Sequence, residues 1–369
     1  MTKEEYRRAA EDLIYLCACM ASGETPDQDR VGKMNLSDLT RVSELHMLKS
    51  CAGAALEKAG IKQEAFAEAK NKAIRKAVLF DTERRAVLEA LENEGIRHMP
   101  LKGCVLKDFY PGIGMREMAD NDILCDPERS RDVQRIMERL GFQTVSYVQD
   151  DWSHNCYQKP PVCNFEMHRA LFAPSHDARL FRYYQTIWEK MIRDEACRFR
   201  YHLSPEDFYT YMIAHEYKHY SGIGTGLRSL LDTYIYVTEN HLDFGYVRGE
   251  TEKLGIRLFE ENNRMLAFRL FRNEPLGEAE QEMLEHILFA GVYGNIPGYI
   301  LREIRERGRR GYVLSRMALP LKEMCSLYPI LNRAPLLYPL CCGHRLIHAL
   351  IFKRERVMLE LKSVLKRKE

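Results

Sequence analysis

Arg116-Glu117-Met118-Ala119-Asp120-Asn121-Asp122-Ile123-Leu124-Cys125 is the stretch on which the reading of this chain turns. Two aspartates stand two residues apart, and the chain becomes apolar directly after them. Successive side chains of a strand point to opposite faces, so Asp120 and Asp122 are expected on one face. Two carboxylates on one face repel unless a cation lies between them, and hard oxygen ligands suit Mg²⁺ or Mn²⁺. Asp-x-Asp alone is a weak signal; its surroundings give it weight.

Upstream, Gly95 to Gly103 reads as a strand and a glycine turn, followed by a short helix from Cys104 to Tyr110 that Pro111-Gly112 stops. A glycine there lets the backbone approach a phosphate closely. Downstream, Asp126 caps a helix that has Pro127 at its first position and runs to Leu140. Phe142 to Val148 reads as a strand. Two further extended runs, His154–Gln158 and Val162–Leu171, flank Lys159-Pro160-Pro161, and the second carries Phe165-Glu166-Met167-His168.

In that order, Leu101 to His168 resembles the nucleotidyltransferases of the DNA polymerase β type, and within them the bacterial branch described as uncharacterised nucleotidyltransferases. The resemblance rests on Leu101-Lys102-Gly103, on Arg116 through Asp122, and on Glu166-Met167-His168. It continues in Leu203 to Asp207, His215 to His219, Arg228 to Asp232, Tyr312 to Arg316 and Tyr328 to Leu331. It departs from the wider superfamily at Gly103-Cys104, where a second glycine or a serine is usual, and at Asn121, usually apolar.

The resemblance implies attack by an acceptor hydroxyl on the α-phosphorus of an NTP, with pyrophosphate leaving. Two metal ions roughly 3.5–4 Å apart serve such a reaction. Holding them takes about three carboxylates, which Asp120, Asp122 and Glu166 supply. Lys102, Gly103, Cys104 and Arg116 are candidates for the triphosphate, because donors aimed at phosphate oxygens offset developing charge. His168 shares a strand face with Glu166 and is expected beside the site. The acceptor is a small molecule or a protein bearing a hydroxyl. His215, Lys218, His219 and Arg228 are its candidate contacts, with helix packing the alternative.

A rival motif lies in the same chain. His215-Glu216-Tyr217-Lys218-His219 spells H-E-x-x-H, which on a helix sets two histidines on one face for zinc with the glutamate as base. The longer metzincin pattern then fails, since Thr225 stands where a third histidine belongs. Arg228 and Asp232, four apart, read as a helix ion pair or as a buried pair facing the cleft.

The chain has 369 residues, 46% hydrophobic and 29% charged, as in ordinary globular proteins of more than one domain. A net charge of +2 argues against a nucleic-acid partner. Eleven cysteines with no signal-peptide pattern ahead of them read as reduced thiols in the cytoplasm. Cys341, Cys342, His344 and His348 lack metal-site spacing and are expected to pack in a core. The basic tail, Lys353 to Arg356 and Lys366 to Lys368, reads as a solvated face. No run is long and apolar enough to span a membrane.

The expected class is α+β: a small polymerase-β-like α/β core at 93–172 between an N-terminal helical segment, 1–92, and a mainly helical C-terminal domain, 173–369. Loops are expected around Gly291–Pro297 and Gly308–Gly311, and a docking helix in Leu336–Phe352. Three readings stay open: a Mg²⁺- or Mn²⁺-dependent nucleotidyltransferase that uses an NTP such as ATP, a non-catalytic nucleotide-binding protein on the same fold, and a zinc peptidase.

Overall fold

The computed structural model describes residues 1–146, 153–173, 177–222, 224–290, 296–319, 321, 324–325, 328–332 and 334–352. Its helices begin with α1 (Lys3–Ser22), which a Thr2/Glu5 capping box starts and Gly23 in the left-handed region ends. There follow α2 (Gln28–Gly32), α3 (Leu36–Leu45), α4 (Lys49–Lys58) and the 30-residue α5 (Glu64–Asn93).

A five-stranded sheet comes next, built from β1 (His98–Pro100), β2 (Asn121–Cys125), β3 (Gln143–Ser146), β4 (His154–Lys159) and β5 (Cys163–His168). Its order is β1-β2-β5-β4-β3; β2 and β5 run parallel and every other neighbour is antiparallel. Between β1 and β2 sits the single turn α6 (Gly103–Leu106), and α7 (Ser130–Arg139) precedes β3. Where one helix is expected from Asp126 to Leu140, Asp126 caps a short 3₁₀ turn with Pro127 at its start and α7 follows it; Gly141, at φ 84°, lies past its end. The expected strand at 142–148 is observed to Ser146; Val148 lies outside the described residues.

Alternation divides the sheet's two faces. Ile123, Cys125, Tyr157, Phe165 and Met167 pack with Phe80, Val87 and Leu91 of α5 and with Val133, Ile136 and Met137 of α7. The opposite face therefore carries Asp122, Leu124, Glu166 and His168, and Leu124 packs with Phe172 and Tyr211.

The rest is mainly helical. After α8 (Ala178–Tyr184), α9 (Ile187–Lys190) and the hairpin of β6 (Ile192–Arg193) with β7 (Tyr201–His202) come α10 (Pro205–Ser221), α11 (Leu227–Glu239), α12 (Phe244–Leu254), α13 (Arg257–Phe271) and α14 (Glu278–Ala290). Ser204 caps α10 and Pro205 takes its first position. The N-terminal helices share one core with α11, α13 and α14: Leu13, Leu39 and Leu56 pack in it with Leu231, Leu266 and Ile287. His46 ties the two parts. Its Nδ1 accepts from the Leu227 amide at 3.1 Å, and its Nε2 lies 2.8 Å from the Tyr6 hydroxyl, which donates to the Leu288 carbonyl.

One expectation is corrected in the last segment, and of the loop expected around Gly291–Pro297, residues 291–295 lie outside the described residues. Helix α15 (Ile296–Met317) includes Pro297 near its start, and residues 308–311 form no loop: Gly308 alone leaves helical geometry, at φ 72°, and kinks the helix. The helix expected in Leu336–Phe352 is observed as α16 (Tyr338–Phe352), where Cys341 and Cys342 pack with Met324 and Leu331, and His344 bonds Tyr328. The tail from Lys353 lies outside the described residues. Among the described residues no helix is long and apolar enough to cross a membrane.

Candidate active site

Parallel pairing of β2 and β5 puts Asp122 directly beside Glu166, and Leu124 beside His168. Opposed residues on one face have Cβ atoms about 5 Å apart, so the two carboxylates share a small space. His168 Nε2 donates to Asp122 Oδ1 at 2.8 Å and lies 3.4 Å from Glu166 Oε2. Its buried Nδ1 has no partner.

Lys102 completes the cluster. Its Nζ donates to the same Asp122 oxygen at 2.7 Å and lies 4.0 Å from Glu166 Oε2. The backbone there is unusual, with Lys102 at φ 47°, ψ −120°, a region that favours glycine. Such a conformation costs on the order of 1–3 kcal/mol and persists only where the surroundings impose it. Leu101 imposes it from one side by donating its amide to the Asp122 carbonyl at 2.9 Å. The turn was expected at Gly103; the strained residue is Lys102, and the strain aims its ammonium at Asp122.

Gly103 itself makes room inside the protein. A Cβ there would stand 2.5 Å from a guanidinium nitrogen of Arg116 and 2.9 Å from the Met118 sulfur. Arg116 is corrected with it. Instead of facing the carboxylate cluster, it is buried and forks onto Asp232 of α11 through Nε and Nη2, both at 2.8 Å, while Tyr110 donates to Asp232 at 2.8 Å. Asp232 is thus paired with Arg116 and not with Arg228. Arg228 donates to the Glu117 carbonyl at 3.0 Å. Cys104 lies beneath the strand, its thiol 3.5 Å from Asn121 Oδ1, and burial pushes that thiol up to about 12. Asn121 points to the same side and accepts from Arg84 of α5 at 3.0 Å, which explains a polar residue between the two aspartates.

The electrostatics set Asp120 apart. Burial, followed by the charges of Asp122 and Glu166, pushes it up to about 7, and Lys102 and Arg228 relieve it only in part. Burial works against charge on Asp122 too, but Lys102 and His168 hold it well below the usual carboxylate range. For Glu166 burial is likewise outweighed, by the His168 bond and by Lys102, and its value is lowered. The residues fit a divalent cation: one ligand atom from each of Asp122, Glu166 and His168 lies within 4.8 Å of the other two, and Asp120 is close enough that their carboxylate charges disfavour its own.

Helix α10 covers this face. Burial and then the Lys102 charge drive His215 well below its usual value, while His215 and His219 face each other at 3.3 Å between Nε2 atoms. Glu216 turns away into the core, where Asn263 of α13 donates to it at 3.1 Å. The H-E-x-x-H reading is corrected accordingly: its glutamate does not share a face with its histidines, and no metal-competent trio among the described residues includes them. Lys218 lies on the same helix.

Sequence reasoning missed Lys76, whose Nζ is 3.4 Å from the Ala119 carbonyl and whose pKa burial lowers against the opposing charge of Asp120, and Tyr211, which packs with Leu124 on the carboxylate face. No local signal marks Lys76, one lysine among several on α5. It also missed His154 and Cys156, although alternation along β4 was enough to set both on the Glu166 face.

Three carboxylates beside a lysine-bearing turn are groups of the kind phosphate-transfer chemistry uses. Residues 32–272 match the family model described as uncharacterised nucleotidyltransferase, and the chain belongs to that family. No curated protein and no solved structure matches the chain.

Proposed function

We propose that the protein transfers NMP from an NTP to a hydroxyl of a small molecule or a protein and releases pyrophosphate. The observation that carries this is the pairing of Asp122 with Glu166 across β2 and β5, with Asp120 crowded next to them. These three would hold Mg²⁺ or Mn²⁺, which when bound polarises the phosphate and lowers the pKa of the acceptor hydroxyl. Lys102 gives up its bond to Asp122 and turns its ammonium to the triphosphate, beside the Gly103 amide. The acceptor oxygen attacks the α-phosphorus, the α–β bridging P–O bond breaks, and Glu166 is placed to take the hydroxyl proton. His168 orients Asp122 throughout. His215 and Arg228 approach from α10 and α11, where an acceptor would lie, so 93–172 acts as the reacting core and 173–369 as the part that chooses the acceptor.

One observation favours a second reading, nucleotide binding without chemistry. Both Lys102 and His168 already donate to Asp122 Oδ1, which leaves that oxygen saturated by the chain itself. Calorimetric titration of the four NTPs with Mg²⁺, on wild type and Asp120→Ala/Asp122→Ala, tests the nucleotide site. Metal-dependent binding lost in the double variant is the expected result; no binding to any NTP by the folded protein overturns both readings. Pyrophosphate release with an acceptor panel then separates transferase from binding protein.

A further inference from the structure

The face that carries Glu166 continues onto β4. In the antiparallel register Cys156 stands opposite Glu166 and His154 opposite His168, so both β4 side chains project beside the carboxylate. One ligand atom from each of His154, Cys156 and Glu166 lies within 4.8 Å of the other two, and all three residues are half-buried.

We propose that these three residues bind a borderline-soft divalent transition ion, zinc foremost. The separation of His154 Nε2 and Glu166 Oε1 is 3.8 Å, too long for a hydrogen bond. It is close to the distance between two ligands of one tetrahedral zinc ion, roughly 3.4 Å for metal–ligand bonds of about 2.0–2.2 Å. The donor set is one imidazole, one thiol and one carboxylate. Thiolate is a poor ligand for Mg²⁺ and a good one for zinc, so this set differs in kind from the all-oxygen set of Asp120, Asp122 and Glu166, with which it shares Glu166.

An outer bond supports the same arrangement. Ser153 Oγ lies 3.2 Å from His154 Nδ1, which orients the ring and leaves Nε2 towards the other two donors. Three protein ligands with a fourth position open to water or substrate is the coordination that catalytic zinc sites carry. Glu166 has one oxygen for each neighbour: Oε1 towards His154, Oε2 towards His168 and Lys102. An ion on β4 would therefore fix the orientation of Glu166. The site does not require nucleotidyl transfer.

Cobalt(II) alone, titrated into the chelator-treated full chain under reducing conditions, is the probe. Wild type is expected to develop the near-ultraviolet thiolate-to-cobalt band with visible bands of a four-coordinate ion, saturating at one cobalt per chain. Zinc should erase them and excess Mg²⁺ should leave them. Cys156→Ser should lose the near-ultraviolet band, and His154→Ala should weaken cobalt binding by at least about tenfold. Circular dichroism checks that each variant is folded, and the histidine variant keeps the test open if the cysteine variant is not. Asp120→Ala/Asp122→Ala should keep the band. Absence of the band in wild type, its persistence in Cys156→Ser, undiminished cobalt affinity in His154→Ala, its displacement by Mg²⁺, or its loss in the double aspartate variant overturns the proposal.

Discussion

Charge is buried in two neighbouring places in this molecule, and the two places treat it in opposite ways. At Arg116–Asp232 a guanidinium fork meets a carboxylate at 2.8 Å on both oxygens, and Tyr110 supplies a further donor. At the β2–β5 face three carboxylates face one ammonium and one imidazole, and Asp120 is left pushed up to about 7. The first place neutralises itself within the chain. The second leaves Asp120 crowded, a strain that the cation of the proposed function would relieve, and that contrast is what residue types alone do not reveal.

The largest consequence concerns the self-sufficient pair. Asp232→Ala leaves the buried Arg116 charge without its partner, and loss of one member of a buried pair costs about 3–5 kcal/mol. A urea titration should show the midpoint fall accordingly. A change near zero would mean that Arg116 reaches solvent or another acid, and the contrast with the carboxylate face would dissolve.

Glu216 offers a sharper intermediate case, because it is buried with a weaker partner. Burial, helped by the Asp232 charge and opposed by hydrogen bonds from Ser229, Asn263 and Thr233, takes it from the usual 4.5 up to about 7. The folded chain therefore keeps a proton that the unfolded chain has released between those two values. Stability falls as pH rises through that window, by up to about 3 kcal/mol. Glu216→Gln removes the titration, so the variant should match wild type near pH 5 and exceed it at pH 8. An equal difference at both pH values would show that Glu216 stays ionised in the fold.

Much of the carboxylate face was legible in the sequence. Asp120/Asp122 and Glu166/His168 each carry period-two spacing, and an apolar residue between Glu166 and His168 marks the buried side. The Pro205 start of α10 and the Asp126 turn were legible for the same local reason, since caps and proline act within one turn. Contacts across the chain were not. Arg116 lies beside the Asp-x-Asp motif in sequence and was assigned to phosphate, yet its partner is 116 residues away, and no periodicity encodes such a meeting. The strained backbone at Lys102 leaves no mark in the sequence, where the adjacent glycine is the residue that local rules favour for such a turn. Glu216 misled for a related reason: a five-residue pattern says nothing of which side of α10 packs on α13.

The smallest effect bears most directly on the contrast. In metal-free buffer at pH 8, Asp120→Asn removes one of three like charges; because Asp120 is partly open to solvent, screening holds the gain to about 1 kcal/mol or less. The variant should therefore be slightly more stable than wild type, opposite in sign to Asp232→Ala. Adding Mg²⁺ should stabilise wild type by mass action and leave the variant behind, because the asparagine amide is the weaker ligand. The order of the two urea midpoints then inverts. If Asp120→Asn is instead destabilising without metal, Asp120 has a partner in the fold and the carboxylate face is a structural cluster like the other. If the order fails to invert with Mg²⁺, the cation that completes the face is not held by Asp120.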